Sequence, residues 1–233
     1  MNPLHPWSVD VDEALRIQED LRKRILLKKT FSEVRTIGAG DAAYSKDENL
    51  FFGAIVVLSF PRLERVDVAT ANGEIKFPYI PGFFSFREGP ILIKCFRKLK
   101  VKPDLMIFDG HGINHPRGIG LASHMGLWLD LPSIGCAKTP LSSKEFRFPK
   151  PSKGSCELIR REGKEVGAIL RTRKNVKPVF VSPGHRIDLL TSIQFILATC
   201  RGFRIPEPLR LAHQVASLLR QKALRNIIQD QSI

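Results

Sequence analysis

The chain has 233 residues, and 37 Lys and Arg against 23 Asp and Glu give it a formal charge of +14. With 43% apolar and 26% charged residues it can bury a sizeable core and lacks the composition of disorder. Its longest clean apolar runs resemble residues 54–58, far short of the ~18 residues a membrane span needs, so no membrane partner is expected and the charge points to a polyanion. The first residues carry Asp10, Asp12 and Glu13 where a secretory signal would need a basic start and an apolar stretch. Cys95, Cys136, Cys156 and Cys200 are scattered with no CxxC pair, which argues against a disulfide framework or a zinc ribbon. A reduced, cytoplasmic protein is expected, folded as one domain over residues 1–233 because no internal repeat or linker divides it.

Residues 9–29 read as an amphipathic helix, with Leu15, Leu21, Ile25 and Leu26 at near-helical spacing. Asp10 is placed as its N-cap, with Glu13 three residues later as in a capping box. Three strand-like runs follow at 34–43, 50–60 and 65–71. The polar turn Ser45-Lys46-Asp47-Glu48-Asn49 and the short link 61–64 predict antiparallel hairpins, and Asn72-Gly73 reads as the turn that ends the third strand. After a proline-rich stretch, residues 85–100 have the spacing of a helix (Ile91, Leu92, Cys95, Phe96, Leu99). Residues 105–109 then read as a short buried strand, 119–129 as a helix and 133–137 as another strand, an order that predicts parallel pairing. A hairpin-like pair at 166–171 and 178–181 and two helices at 188–199 and 207–224 complete an α/β chain around one mixed sheet.

The charge is uneven. Residues 144–186, from Lys144 to Arg186, hold twelve Lys and Arg against four acids, so +8 of the +14 falls in under a fifth of the chain. A solvated face would account for that alone; a nucleic-acid footprint gains weight only beside chemistry for phosphates. Three carboxylates supply it. Asp41 follows the apolar run 37–40 and Asp109 follows 105–108, each beside glycine, and both read as strand-end residues. If those strands are neighbours, both acids project from one sheet edge, where open α/β sheets bind ligands. Glu88 is expected in the first turn of the helix between them. Singly, each reads more simply as a turn, a cap or an answer to a helix dipole. Converging, they would repel one another unless a cation sits among them, and oxygen ligands select Mg²⁺ or Mn²⁺ over Zn²⁺. That set suits metal-assisted phosphodiester hydrolysis.

The ordered segments Gly38-Ala39-Gly40-Asp41-Ala42-Ala43-Tyr44, Pro78-Tyr79-Ile80-Pro81-Gly82-Phe83-Phe84-Ser85-Phe86-Arg87-Glu88 and Asp109-Gly110-His111-Gly112-Ile113-Asn114-His115-Pro116-Arg117 closely resemble endonuclease V, the deoxyinosine 3′ endonuclease family. The likeness continues through Cys136-Ala137-Lys138-Thr139 and Ser182-Pro183-Gly184-His185. The resemblance implies a ribonuclease-H-like fold. It further implies Mg²⁺-dependent cleavage (Mn²⁺ substituting) of the second phosphodiester bond 3′ to an inosine, leaving 3′-hydroxyl and 5′-phosphate ends. Asp41, Glu88 and Asp109 align with the family's catalytic carboxylates: Asp41 and Asp109 are expected to hold the metal, and Glu88 to position water or join them. Lys138 aligns with a lysine near the scissile phosphate.

His213 falls where the family places a fourth active-site residue, and helical spacing sets it off a core stripe of Leu211, Val215, Leu218 and Leu219. The segment Pro78-Tyr79-Ile80-Pro81 looks like the family's wedge: two prolines fix φ, so the loop can press Tyr79 into a base stack without yielding. Gly82, Phe84, Gly110, His115, Gly120 and Leu121 are expected to form the pocket for the extruded base, and Phe83-Phe84 is bulkier than the aliphatic pair common there. Backbone donors exposed by the glycines would prefer hypoxanthine's oxygen to adenine's amine.

The expected partner is deoxyinosine DNA, acted on by a monomer. Inosine-containing RNA is a second reading, and a non-catalytic nucleic-acid-binding module a third, against which the intact carboxylate set argues. The basic segment, with Arg171, Arg173 and Lys174, is expected to track the backbone without a say in base choice.

Overall fold

A nearly continuous apolar run makes β2 (Leu50–Ser59) the most deeply buried of three antiparallel strands. It is flanked by β1 (Thr36–Tyr44) and β3 (Arg65–Glu74). The computed structural model describes residues 3–45, 49–141 and 146–230, the last five without side chains. The turn residues Lys46, Asp47 and Glu48, and Lys144 and Glu145 of the basic segment, lie outside the described residues.

Next to β1, and parallel to it, runs β4 (Leu105–Phe108), followed by β5 (Ser133–Ala137), also parallel. The other edge is antiparallel: β5 pairs with β8 (Val179–His185), which pairs with β7 (Lys164–Leu170), which pairs with β6 (Cys156–Arg161). The order β3-β2-β1-β4-β5-β8-β7-β6 makes one mixed eight-stranded sheet. Helices α2 (Phe84–Lys98) and α3 (Leu121–Leu129) cover one face, packing Leu92, Cys95 and Met125 against Ile55, Val57 and Phe108. Helices α4 (Leu189–Thr199) and α5 (Glu207–Asp230) cover the other, packing Ile196, Leu209 and Ala212 against Ile37, Ala39 and Val56. This is the ribonuclease-H-like arrangement of a mixed sheet between helices.

Four expectations need correction. The first helix, α1, spans only Val11–Arg22, although Asp10 caps it as expected by accepting from the Glu13 amide at 2.8 Å. Beyond Arg22, Leu26 and Leu27 stay exposed, so no packed face sustains further turns. Asn72-Gly73 lies inside β3, paired with Phe52 and Phe51, where the ladder overrides turn propensity. The edge strand β6 has no counterpart among the expected strands, because its residues never alternate between buried apolar and exposed polar; charges on an edge are how sheets avoid further pairing. Finally, α5 buries Leu209, Ala212 and Ala216, while Leu218 of the expected stripe is 55% exposed.

Candidate active site

Side-chain alternation along β1 decides where Asp41 points. Ile37 and Ala39 pack with α5, so Asp41, at the same parity, faces α5 as well. It does not end its strand: β1 runs on to Tyr44, paired throughout with β2. Asp109 directly follows β4, and because Gly40 pairs with Phe108, the two acids are register neighbours at the carboxyl edge of parallel strands. Glu88 is the fifth residue of α2, at the start of its second turn rather than in the first, and is buried.

These three groups press on one another. Burial, then Asp41 and Asp109, hold Glu88 well above the usual carboxylate range. Burial and then Asp109 raise Asp41. Two nitrogen-bearing side chains answer them. The Lys138 ammonium, one residue past β5, pairs with Asp109; burial alone would lower its pKa, and the carboxylate more than offsets this. His213 Nδ1 contacts Asp41 Oδ2 at 2.7 Å. It reaches there because residues 209, 212 and 216 form the buried face of α5, and His213, next to Ala212, sits at that face's edge.

Among the described residues, no three His, Cys, Asp or Glu side chains close into a ready-made metal cage. Magnesium does not need one: it takes one or two carboxylates and keeps waters and substrate phosphates. Asp41 and Asp109 carry oxygens of that kind, and a hard divalent cation between them would relieve their repulsion with buried Glu88.

Beside the carboxylates opens a cavity of about 400 Å³. Tyr79, Ile80, Pro81, Gly82, Phe84, Gly110, His115, Gly120 and Leu121 all line it, and Asp109 and Lys138 stand at its edge. Pro78 is exposed and outside the lining. Of the two phenylalanines only Phe84 faces the cavity; Phe83 is buried under the Arg117 guanidinium, 4.2 Å from its ring centre, so only one ring narrows the space. Tyr79 is 68% exposed. Gly82, with φ +85°, turns the loop in a conformation that disfavours any side chain. Its carbonyl accepts from Gln18 Nε2 at 3.0 Å and Arg117 Nη2 at 2.5 Å, while Arg117 Nε donates to Gln18 Oε1 at 2.6 Å. Helix α1 thus braces the tyrosine loop through one polar clamp.

Burial, then Arg117 and His111, lower His115 to about 3, so it serves the cavity as a neutral ring. Burial likewise lowers His111, which donates from Nε2 to the Thr139 carbonyl at 3.1 Å and fixes the turn after β5. Arg204 Nη2 donates to the Lys138 carbonyl at 2.7 Å. The Ser182 hydroxyl accepts from the Gly112 amide at 2.8 Å, tying the loop after β4 to β8. Sequence reasoning misses these supports, because each joins segments far apart along the chain. At Gly135 a Cβ would lie 2.5 to 2.7 Å from backbone atoms of Gly110, His111 and Gly112, so only glycine lets β5 carry that loop so closely.

The basic segment is less free than its charge suggests. Arg171 is bound to the carbonyls of Pro149, Lys150 and Val176, Arg161 to that of His115, and Arg160 to Glu165 at 2.9 Å. Arg173 and Lys174 remain exposed.

A family profile described as Endonuclease V matches residues 19–214. The endonuclease V of Dictyoglomus turgidum is 53% identical over 202 residues, 87% of this chain and 87% of that protein. The crystal structure of an endonuclease V from Streptomyces avermitilis is 38% identical, with a TM-score of 0.88 over 94% of this chain and 96% of that one. A Ciona intestinalis endonuclease V, solved with a 23mer DNA containing an inosine followed by a ribo-adenosine, is 27% identical, with a TM-score of 0.79 over 93% of this chain and 98% of that one.

Proposed function

The chain belongs to the endonuclease V family, and from that membership we propose that it is an Mg²⁺-dependent endonuclease specific for deoxyinosine. It hydrolyses the second phosphodiester bond 3′ to the deaminated base, leaving 3′-hydroxyl and 5′-phosphate ends, and Mn²⁺ substitutes for Mg²⁺. The observation that carries this reading is the placement of Asp41 and Asp109 just past the Gly40–Phe108 register pair at one strand edge, with Lys138 on Asp109, beside a cavity flanked by exposed Tyr79. The catalytic unit is read as one domain over residues 1–233, acting as a monomer in the cytoplasm; among the described residues no helix is long and apolar enough to cross a membrane.

Asp41 and Asp109, with Glu88, would hold a divalent cation, which would supply Lewis acidity toward a phosphate oxygen and acidify water. Lys138 stands beside the same carboxylate, so its ammonium is ready to stabilise charge developing on the phosphate. Asp41 accepts from His213 Nδ1 and so leaves Nε2 as the nitrogen available to take or give a proton. Tyr79, on a loop stiffened by Pro78 and Pro81 and braced by Arg117, occupies the gap left in the stack when the base enters the cavity.

Replacing Tyr79 with Ala is expected to cost about 1–3 kcal/mol, roughly a fivefold to 150-fold weakening, on an inosine duplex. Fluorescence anisotropy on inosine and undamaged duplexes checks this, and equal losses on both would remove the wedge role. Since Arg171 is engaged internally, backbone tracking is assigned to the exposed Arg173 and Lys174. Replacing both with Gln should reduce the slope of log K against log salt by about 0.9 for each phosphate no longer neutralised, with inosine preference unchanged.

A second reading, cleavage of inosine in RNA, draws on the ribo-adenosine that follows the inosine in the Ciona complex. Matched DNA and RNA strands, each with and without one inosine, separate the two. Preferential cleavage of the inosine DNA supports the first reading, and preferential cleavage of the inosine RNA the second. Binding without cleavage of any strand would leave only a non-catalytic binding module.

A further inference from the structure

A second recess, of about 470 Å³, lies between α2 and the edge strand β3 and shares no residue with the lining of the base cavity. The two are still adjacent along the chain. Phe77 lines the recess and Tyr79 the cavity, and the start of α2 gives Phe84 and Ser85 to the cavity but Phe86 and Arg87 to the recess.

The floor is apolar and aromatic: Phe51, Phe77 and Phe86 are buried there, and half-buried Trp7 lines it with them. Three cations, Lys76, Arg87 and Lys94, stand around it against one acid, Glu74. Arg87 is fixed, because its Nη1 donates to the Phe77 carbonyl at 3.0 Å and its guanidinium lies 5.4 Å from the centre of the Phe51 ring. Lys76 and Lys94 are exposed, and neither side chain has an ion pair or hydrogen bond among the described residues. Gly73 leaves room for the second of them, since a Cβ there would lie 3.0 Å from the Lys94 ammonium. Uncommitted cations around an aromatic floor suit a ligand that is both flat and anionic. A duplex keeps its bases stacked inside, so it could meet the lysines but not the floor. An unpaired nucleotide meets both, with its base on the floor and its phosphates at the rim.

We propose that this recess is a second nucleic-acid site, which takes an unpaired nucleotide of the bound nucleic acid and holds it by stacking and charge, without regard to the identity of the base. This rests on the nucleic-acid part of the reading above and goes beyond it. The cavity beside the carboxylates receives the damaged base, while the recess holds single-stranded flank. Lys76 and Lys94 supply the charge, and the fixed Arg87 marks the boundary between rim and floor.

The test uses full-length protein and two probes, a labelled oligothymidine without inosine and a fully paired inosine duplex. Gly73→Leu fills the recess without changing charge. It should weaken oligothymidine binding about fivefold or more, the least expected when a stacked base is displaced, and leave binding and cleavage of the paired duplex within about twofold. Lys76→Gln with Lys94→Gln leaves the floor intact. It should reduce the slope of log K against log salt on oligothymidine by about 0.7 for each phosphate no longer neutralised. Should Gly73→Leu melt below the wild type, the lysine pair decides alone, read on both probes. Oligothymidine binding that neither variant moves would overturn the site, as would a loss in the lysine pair with a folded Gly73→Leu unmoved. Equal losses on the paired duplex would make the recess part of the duplex path and overturn its single-strand role. Wild-type protein that cleaves the inosine duplex but does not bind oligothymidine overturns the recess alone, whereas protein that binds neither probe overturns the nucleic-acid reading with it.

Discussion

Replacing Asp109 with Asn is expected to lower cleavage of an inosine strand about a thousandfold or more while leaving binding intact or tighter. The rate follows from what the carboxylate does. On the proposed reading it is one of two strand-edge oxygen donors for a divalent cation, and in the structure it anchors the Lys138 ammonium. Losing it removes cation affinity and unfixes a second positive group, and ~4 kcal/mol of transition-state stabilisation corresponds to a factor of about a thousand. Binding should survive because the site loses a negative charge that faces phosphates, Asn keeps the shape of the side chain where it lines the cavity, and Tyr79 is untouched. Single-turnover cleavage and anisotropy on the same duplex check both halves. Mg²⁺-dependent cleavage within tenfold of the wild type would remove Asp109 from the active site.

Glu88→Gln should separate activity from stability. Cleavage should fall roughly a hundredfold, on the scale of losing a positioned group in proton or charge handling. Melting temperature without divalent cation should nevertheless rise. Burial, with Asp41 and Asp109 nearby, holds the folded-state pKa of Glu88 well above its ordinary 4.5. A raised carboxyl pKa means the folded state binds the proton more tightly than the unfolded chain does. Stability from this group is therefore fully present below about pH 4.5 and is lost as pH rises from there through the folded-state pKa. Glutamine carries no charge and escapes that loss, so the variant's advantage should be larger at pH 8 than at pH 5. A gain of ~2–4 °C per kcal/mol is the scale expected for a chain of this length. Thermal melts in EDTA at the two pH values measure it; an equal effect at both, or a lower melting temperature at pH 8, would contradict the assigned burial of charge.

How far the molecule is legible in its sequence depends on the range of the interaction. The hairpins of β1, β2 and β3 and the parallel pairing of β4 with β5 follow from short connections and apolar runs, whereas the neighbours β1 and β4, which bring Asp41 beside Asp109, are separated in the chain by two strands and a helix and are legible only as a condition. The position of Asp41 within β1 is not legible, because Ala42, Ala43 and Tyr44 carry no apolar alternation; they pair only because β2 offers Gly53, Phe52 and Phe51. His213 is found by likeness to a family, while of the stripe drawn beside it Leu211 and Val215 pack on the core but Leu218 is exposed. Small residues, Ala212 and Ala216, make the close approach, and a leucine pattern cannot show that. Arg171 counts as free charge until its guanidinium is seen closing on three carbonyls. Nothing local shows that the Ser85 hydroxyl meets His124, 39 positions on, or that His124 meets His5, 119 positions back.

The carboxylate edge and the base cavity together make one claim, that metal-dependent hydrolysis is placed by recognition of a deaminated purine. The direct measurement is single-turnover cleavage of an end-labelled duplex containing one deoxyinosine, beside its adenine control, with Mg²⁺ and with EDTA. One product is predicted, cut at the second phosphodiester bond 3′ to the inosine, only with Mg²⁺ and only on the inosine strand. Equal cutting of the adenine control, or cutting that persists in EDTA, would contradict it.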